Sequence, residues 1–206
     1  MRRAVADTAG IDEAAAIIRA GGIVAIPTDT LYGLAVDPFR ADAVARVFDV
    51  KGRTAERALP LIAADLAQIA VTFGPLPAAA QRLAEAFWPG PLTLLLRTPT
   101  SLAIEVTGGT GRVGVRVPAH DAARALCREC AMPLTATSAN ISDRPATNDP
   151  DEVARTLGSR IDLLLDGGKT RGGPPSTIVD ATGTALRLVR PGAVEWDEVL
   201  ACAQHA

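Results

Sequence analysis

The chain has 206 residues, of which 48% are apolar, and its formal net charge is −2 at pH 7. These values predict one domain over residues 1–206 with a sizeable core, and they argue against a disordered chain. The small negative charge excludes a general attraction to nucleic acid or membrane surfaces. No apolar run reaches the length of a membrane span, and no secretory signal follows the two arginines near the N-terminus. We therefore expect a cytoplasmic protein.

Helices alternate with short apolar strands in the first half of the chain. Asp12 and Glu13 favour the first turn of a helix that Gly21 ends. A β-branched run follows and stops at Pro27, which cannot donate a ladder hydrogen bond. The predicted helices are 11–20, 42–50, 65–70 (capped by Asp65) and 77–87, and the predicted strands are 22–26, 59–63 and 92–96. The last of these strands reads as apolar throughout, which predicts a central position in the sheet.

In the second half of the chain, several strands adjoin with only a loop between them. The predicted strands are 113–118, 134–137, 161–165, 176–180 and 185–190, and the predicted helices are 121–130, 151–157 and one from about 195. This order predicts an α/β fold with a twisted, open, mixed parallel and antiparallel sheet and flanking helices. Polar residues recur where strands end, so we expect one groove lined by strand ends.

The segment after the first predicted strand carries a candidate site. Thr28, Asp29 and Thr30 crowd the end of that strand, and the next helix delivers Lys51 and Arg53. Small polar groups and two cations at one crevice predict an anionic or zwitterionic ligand. An ordinary turn and helix cap is the alternative, since Thr and Asp are common there. The chain has only two lysines, so a lysine at 51 indicates that a compact charge is needed.

Two further positions are candidates for ligand binding. Ser138 and Asn140 follow a strand and suit phosphate oxygens or a base edge, although a turn or cap is the alternative. Arg116 lies inside an apolar strand, where a guanidinium needs an anionic partner. No acid flanks it, so the partner is either a ligand anion or an Asp distant in sequence. Arg112 is less constrained and is compatible with a surface position.

The cysteine pair Cys127 and Cys130 favours a structural role. A structural zinc site needs four ligands, and the pair falls within a predicted helix rather than at its start, where a redox pair is expected. His120 precedes that helix and reads as a cap or turn residue. Phosphate-loop, dinucleotide and nucleophile-turn motifs do not occur, so any ATP site must have another architecture.

Seven short motifs occur in a specific order along the chain. They are Ile26-Pro-Thr-Asp-Thr-Leu-Tyr-Gly-Leu, Lys51-Gly-Arg, Phe87-Trp-Pro-Gly-Pro-Leu-Thr, Val115-Arg-Val-Pro, Thr137-Ser-Ala-Asn-Ile-Ser, Pro175-Ser-Thr-Ile-Val-Asp and Val189-Arg-Pro-Gly. Together they resemble the YrdC family of threonylcarbamoyl-AMP synthases in its single-domain form, over about residues 11–192. The segment 57–64 departs from the family, because it lacks the Asn-Pro-Leu and the later His of many relatives.

The resemblance implies a nucleotidyltransferase reaction. L-threonine, bicarbonate (or CO2) and ATP would give L-threonylcarbamoyl-AMP and pyrophosphate, with Mg2+ carried on the ATP and no metal site on the protein. Separate tRNA threonylcarbamoyl-transferase proteins would use the product to modify tRNA. By the same resemblance, Lys51 and Arg53 are catalytic. L-threonine would be bound by Thr30, Arg116 and Ser176, and ATP by Lys51, Arg53, Arg112, Ser138, Asn140 and Arg190.

Two other functions remain open at this stage. One is a binding module for double-stranded RNA or tRNA that lacks this activity and uses an arginine-lined groove formed by Arg53, Arg57, Arg112, Arg116 and Arg190. The net charge argues against strong non-specific binding of this kind. The other is a related carbamoyl-handling enzyme with a different acceptor.

Overall fold

The structure is a computed structural model that describes residues 1–52, 58–99 and 101–204. The helices within these ranges are α1 Thr8–Arg19, α2 Ala41–Lys51, α3 Leu66–Phe73, α4 Ala78–Phe87, α5 Asp121–Glu129, α6 Pro150–Leu157 and α7 Trp196–Gln204. Side-chain caps explain several starts. Asp7 accepts from Gly10 N and begins α1 three residues earlier than predicted, and Asp65 accepts from Gln68 N and caps α3 as predicted.

Eleven strands are present in the described residues. They are β1 Arg2–Val5, β2 Val24–Ile26, β3 Gly33–Ala35, β4 Leu61–Ile62, β5 Leu92–Arg97, β6 Arg112–Arg116, β7 Leu134–Thr135, β8 Thr137–Ser138, β9 Leu163–Asp166, β10 Thr177–Asp180 and β11 Arg187–Arg190. Sequence analysis missed β1 and β3, which are only four and three residues long. A short 3₁₀ turn, Ile104–Thr107, was also missed.

The strands form two mixed sheets. One has the order β1-β9-β2-β3-β8, and the other has the order β11-β10-β5-β6-β4-β7. β9 runs parallel to β1 and β2, whereas β3 runs antiparallel to β2 and β8. The mixed α/β class is therefore confirmed, and so is the central position of β5. The expectation of a single sheet is corrected to two.

Ala136 marks the point where the chain passes from one sheet to the other. The single strand predicted at 134–137 divides there, since Thr135 pairs with Leu61 and Thr137 pairs with Leu34. The Thr135 hydroxyl donates to Leu34 O at 3.1 Å and accepts from Val36 N at 3.0 Å. One buried hydroxyl thus joins the edges of the two sheets.

The core contains two apolar clusters. The larger one includes α2, α4, β5 and β6, with Val47, Leu83, Leu94 and Val115 fully buried. The smaller one packs α1 and α5 against β2 and β9 and contains Cys127. None of the helices in the described ranges is long and apolar enough to cross a membrane. The free thiols of Cys127 and Cys130 are both buried, an environment typical of structural cysteines.

Candidate functional site

A cavity of about 410 Å3 lies where the two sheets meet. The five-stranded sheet supplies the loop 28–32 and β8, and the six-stranded sheet supplies residues of β4, β5, β6, β10 and β11. The sequence-predicted residues that line this cavity are Thr28, Thr30, Arg116, Ser138, Ser176 and Arg190. A cavity of this size accommodates a small ligand.

The loop 28–32 is held in place by its own hydroxyl and by a distant glycine-rich segment. Thr28 Oγ1 donates to Leu31 O at 2.7 Å, which is the turn interaction that sequence analysis left open as an alternative. The carbonyl of Thr30 accepts from Thr170 Oγ1 at 2.6 Å and from Gly172 N at 2.9 Å. The Thr30 side chain lines the cavity, and its Oγ1 lies 3.3 Å from Thr28 Oγ1.

Arg116 and Asp29 form a buried ion pair beside the cavity. Arg116 is 9% exposed, and its Nη1 lies 3.1 Å from Asp29 Oδ1 and 3.2 Å from Oδ2. The distant Asp that the sequence left open as a partner is therefore present, 87 residues away. Burial lowers the pKa of Arg116; the carboxylate of Asp29 opposes this effect and nearby Arg190 adds to it. Arg116 and Arg190 together carry one positive charge more than Asp29 neutralises, and this excess charge favours the binding of an anion.

A hydroxyl pair forms part of the cavity wall on the six-stranded sheet. Thr93 Oγ1 of β5 donates to Ser176 Oγ at 2.8 Å, and Arg190 Nη2 donates to Ser176 O at 2.7 Å and to Oγ at 3.2 Å. Burial lowers the pKa of Arg190. Sequence analysis missed Thr93, because it lies in a strand that reads as apolar. The usable signal was its single hydroxyl among four leucines.

Lys51 is buried next to the cavity and does not line it. It is 2% exposed, and its Nζ donates to Ser138 O at 2.6 Å and to Asn140 O and Oδ1, both at 3.0 Å. Ser138 Oγ in turn donates to Asn140 Oδ1 at 2.6 Å, and Asn140 Nδ2 donates to Arg144 O. The ammonium group of Lys51 therefore acts as a compact charge that fixes the loop carrying Ser138 and Asn140.

The other predicted residues lie elsewhere. Arg112 begins β6, four residues before Arg116, where it is exposed and pairs with Asp180 at 2.8 Å outside the cavity lining. Arg53 and Arg57 lie outside the described residues. His120 occupies the cap position of α5 without a side-chain capping bond, and its buried Nδ1 has no hydrogen-bond partner among the described residues. Burial lowers the pKa of His120, against the charge of Asp29.

Metal-binding side chains do not cluster in the part of the chain that the structure describes. Within residues 1–52, 58–99 and 101–204, no three His, Cys, Asp or Glu side chains are arranged to hold an ion. The cavity instead offers hydroxyl groups and guanidiniums. These groups orient and neutralise an anionic ligand.

The fold and the cavity define a class of mixed α/β proteins with a cavity between two sheets that is lined by guanidiniums and hydroxyls. A family profile described as "Telomere recombination", that of Sua5, YciO and YrdC, matches residues 16–192. The chain therefore belongs to the Sua5/YciO/YrdC family, and the resemblance inferred from the seven motifs is confirmed.

Relatives of known name agree with this assignment. Threonylcarbamoyl-AMP synthase of Pyrococcus abyssi is 40% identical over 186 residues, which are 90% of this chain and 55% of that protein. The enzyme of the same name from Halorhodospira halophila is 45% identical over 157 residues, 76% of this chain and 82% of that protein. The crystal structure of P. abyssi Sua5 complexed with L-threonine matches with a TM-score of 0.90 at 38% identity, over 98% of this chain and 59% of that one. This chain thus spans about half the length of the Pyrococcus protein.

Proposed function

We propose that this protein is an L-threonylcarbamoyladenylate synthase, a nucleotidyltransferase that converts L-threonine, bicarbonate (or CO2) and ATP into L-threonylcarbamoyl-AMP and pyrophosphate. The observation that carries the proposal is the cavity wall formed by Arg116, Ser176 and Arg190, which combines two guanidiniums with a hydroxyl. Family membership and the names of the relatives support the same reaction.

The threonine carboxylate is assigned to the guanidinium-rich wall. Arg116 has five N–H donors, and only Nη1 donates to Asp29 among the described residues. Donors therefore remain for a ligand oxygen. Ser176 lies in the same wall, and Thr30 lines the opposite one. A carboxylate bound there would balance the second guanidinium, because the described residues of this wall carry one positive charge more than the Asp29 carboxylate neutralises.

The nucleotide is assigned to the loop that Lys51 holds. Ser138 lines the cavity and Asn140 follows it, so the loop presents polar groups beside Arg190. Lys51 is proposed to act through these residues, since its described bonds go to carbonyl oxygens. Arg53, outside the described residues, and Arg112, outside the cavity lining, stay as predicted contacts of the phosphates.

The proposed chemistry is positioning and charge stabilisation. The threonine amine first adds to CO2 and loses a proton, or reacts with bicarbonate and releases water, and in either case it forms a carbamate. A carbamate oxygen then attacks the α-phosphorus of ATP in line, the bond to the bridging oxygen breaks, and pyrophosphate leaves. Such a displacement needs no enzyme nucleophile, and guanidiniums and hydroxyls stabilise the developing charge. Mg2+ is proposed to arrive on ATP, with the phosphates as its principal ligands.

The product must be consumed by a second protein. A mixed anhydride of a carbamate and AMP is an activated acyl group, and a tRNA threonylcarbamoyl-transferase is the proposed acceptor enzyme. We place the reaction in the cytoplasm. All three cysteines of the chain are free thiols, which fits a reducing compartment.

The test is pyrophosphate release from ATP and Mg2+, with and without L-threonine and bicarbonate. We expect release only when both are present, together with a product of the mass of threonylcarbamoyl-AMP. Pyrophosphate release that does not depend on L-threonine, or no release from folded protein, would refute the proposal. Replacing threonine by serine, valine and other amino acids separates this enzyme from a carbamoyl-handling relative with another acceptor.

The RNA-binding alternative is less well supported by the structure. Of the arginines named for an RNA groove, Arg116 is buried against Asp29 and Arg112 is paired with Asp180. Both therefore have fixed anionic partners, which would have to be displaced by a phosphate. Salt-dependent RNA binding without ATP turnover would revive this alternative.

A further inference from the structure

Thr93 places a hydroxyl on the cavity side of the central strand of the six-stranded sheet. Side chains of a strand alternate between its faces, so Leu92 and Leu94 enter the core whereas Thr93 and Leu95 line the cavity. Thr93 is 3% exposed. Diagonally across from it on β6, where Gly114 pairs with Leu95, a Cβ at Gly114 would approach Thr93 Cγ2 to 2.9 Å, so the glycine leaves the space that the threonine occupies.

The hydroxyl of Ser176 already accepts two hydrogen bonds. One comes from Thr93 Oγ1 at 2.8 Å and the other from Arg190 Nη2 at 3.2 Å. A serine hydroxyl has two acceptor positions and one proton to donate. Both acceptor positions are filled, and the Ser176 hydroxyl donates no hydrogen bond within residues 1–52, 58–99 and 101–204. The proton is therefore left for a group inside the cavity.

We propose that Thr93 is a positioning residue that locks the Ser176 hydroxyl as a hydrogen-bond donor toward the carboxylate of the amino-acid substrate. This inference rests on the proposed function. A free serine hydroxyl can rotate and either donate or accept, so it serves a carboxylate and an amide alike. A hydroxyl held by two donors can only donate, and it therefore favours a carboxylate oxygen over an amide N–H.

The selectivity has an electrostatic counterpart. Arg116 and Arg190 also present only donors, and Asp29 neutralises one of the two charges. A ligand group that brings acceptors and a negative charge satisfies all three side chains. The amide of L-threoninamide brings no charge and one acceptor, and its NH2 would meet another donor at Ser176.

Calorimetric titration with L-threonine and L-threoninamide tests this role. Thr93→Val removes the hydroxyl at nearly constant volume and should raise the Kd for L-threonine about tenfold, the loss of one well-placed hydrogen bond to a charged group. The Kd for L-threoninamide should change much less, so the ratio of the two Kd values, which measures the preference for L-threonine over its amide, should decrease. Thr93→Ser should restore both values, and the KM for ATP should stay at the parent value in every variant.

A double-mutant cycle separates positioning from packing. In a Ser176→Ala background Thr93→Val should cause no further loss of threonine affinity, because the relayed hydroxyl is already gone. Thr107→Val is the matched control, since it also removes a buried threonine hydroxyl, here bonded to Ile104 O at 2.8 Å, but lies outside the cavity lining. It should lower stability and leave threonine affinity unchanged. Thr93→Ala provides the same cycle if Thr93→Val does not fold.

Four results would overturn the inference. Parent-like threonine affinity of folded Thr93→Val would show that Ser176 needs no help, and the proposed function would stand. Additive losses in the cycle, or equal losses for acid and amide, would assign Thr93 a packing role only. A parent protein that binds no L-threonine would remove both this inference and the proposed function.

Discussion

The two walls of the cavity are held together differently. On the five-stranded sheet, Thr30 and the loop at Ser138 are fixed through main-chain carbonyls, by Thr170, Gly172 and Lys51. On the six-stranded sheet, the wall consists of side chains that pair with other side chains: Ser176 with Thr93 and Arg190 within the wall, and Arg116 with Asp29 of the facing loop.

This difference separates the contacts that fix the shape of the cavity from those that determine its affinity for a ligand. Carbonyl contacts decide where a loop lies, so breaking them should reduce stability and activity together. Side-chain pairs decide which groups face the ligand, so changing them should alter ligand affinity in ways that depend on the partner. The predictions below test this separation, beginning with the largest expected effect.

Lys51→Ala should lower the free energy of unfolding by about 4 kcal/mol and abolish threonine-dependent pyrophosphate release. The substitution removes a buried cation and leaves three carbonyl oxygens at Ser138 and Asn140 without their donor. Urea unfolding and the release assay measure the two effects. Lys169→Ala, at an exposed pair with Asp149, is the control and should change neither. A stable but inactive Lys51→Ala would instead place the lysine in direct contact with substrate.

Asp29→Asn should lower the free energy of unfolding by about 3 kcal/mol, because it leaves the Arg116 guanidinium buried without a counter-charge. Arg116→Leu alone should lower the free energy of unfolding by a similar amount, because it leaves the Asp29 carboxylate buried without a counter-charge. The double variant should be more stable than either single variant, yet it should not bind L-threonine. Unfolding in urea and calorimetry with L-threonine measure these outcomes. Equal stability of all three variants would mean that the pair does not hold this wall together.

His120 follows β6 at the cap position of α5, close enough to Asp29 for the carboxylate to affect its pKa. Burial lowers its pKa below the ordinary value of 6.5, so the unfolded chain binds a proton at a higher pH than the folded chain. Protonation of His120 therefore costs no stability above pH 6.5, and it lowers the free energy of unfolding increasingly as the pH falls from 6.5 toward the folded-state pKa. We expect the urea midpoint to fall between pH 7.5 and pH 5.5 in the parent, and to fall less in His120→Asn. Identical slopes would argue against a buried, neutral imidazole.

The smallest effect should come from thiol modification. Cys127 lies behind the six-stranded wall, where its Sγ donates to Ile62 O at 3.6 Å. Burial raises the pKa of Cys127, and it raises that of Cys130 to about 11. Iodoacetamide at pH 8 should therefore modify half-buried Cys202 first and leave activity unchanged. Mass spectrometry of peptides locates the label, and early labelling of Cys127 would show that this wall opens.

Local pattern and chain order were enough to predict most of the elements and several site residues. Strand ends carry polar residues in this fold class, which is why Thr30, Ser138, Ser176 and Arg190 were expected in one groove. Helix caps such as Asp65 follow from neighbouring residues alone. These features depend on interactions within a few positions.

The pairings across the cavity could not be predicted in the same way. Asp29 and Arg116 are 87 positions apart, and Lys51 and Ser138 are also 87 apart. Which side chains meet depends on the order of strands in two sheets, and periodicity does not specify that order. Thr93 was overlooked because a fully buried strand tolerates a hydroxyl only with a partner, and the partner is 83 positions away.

The strand order also constrains when the site can form during synthesis. β1 pairs only with β9 among the described strands, and β9 separates β1 from β2. β1 therefore has no strand neighbour until Leu163–Asp166 has been synthesised. At about 5–20 residues per second this delay lasts roughly 8–30 s. Until then the apolar face of α1 lacks much of its cover, and the ribosome-bound chain exposes it to chaperones.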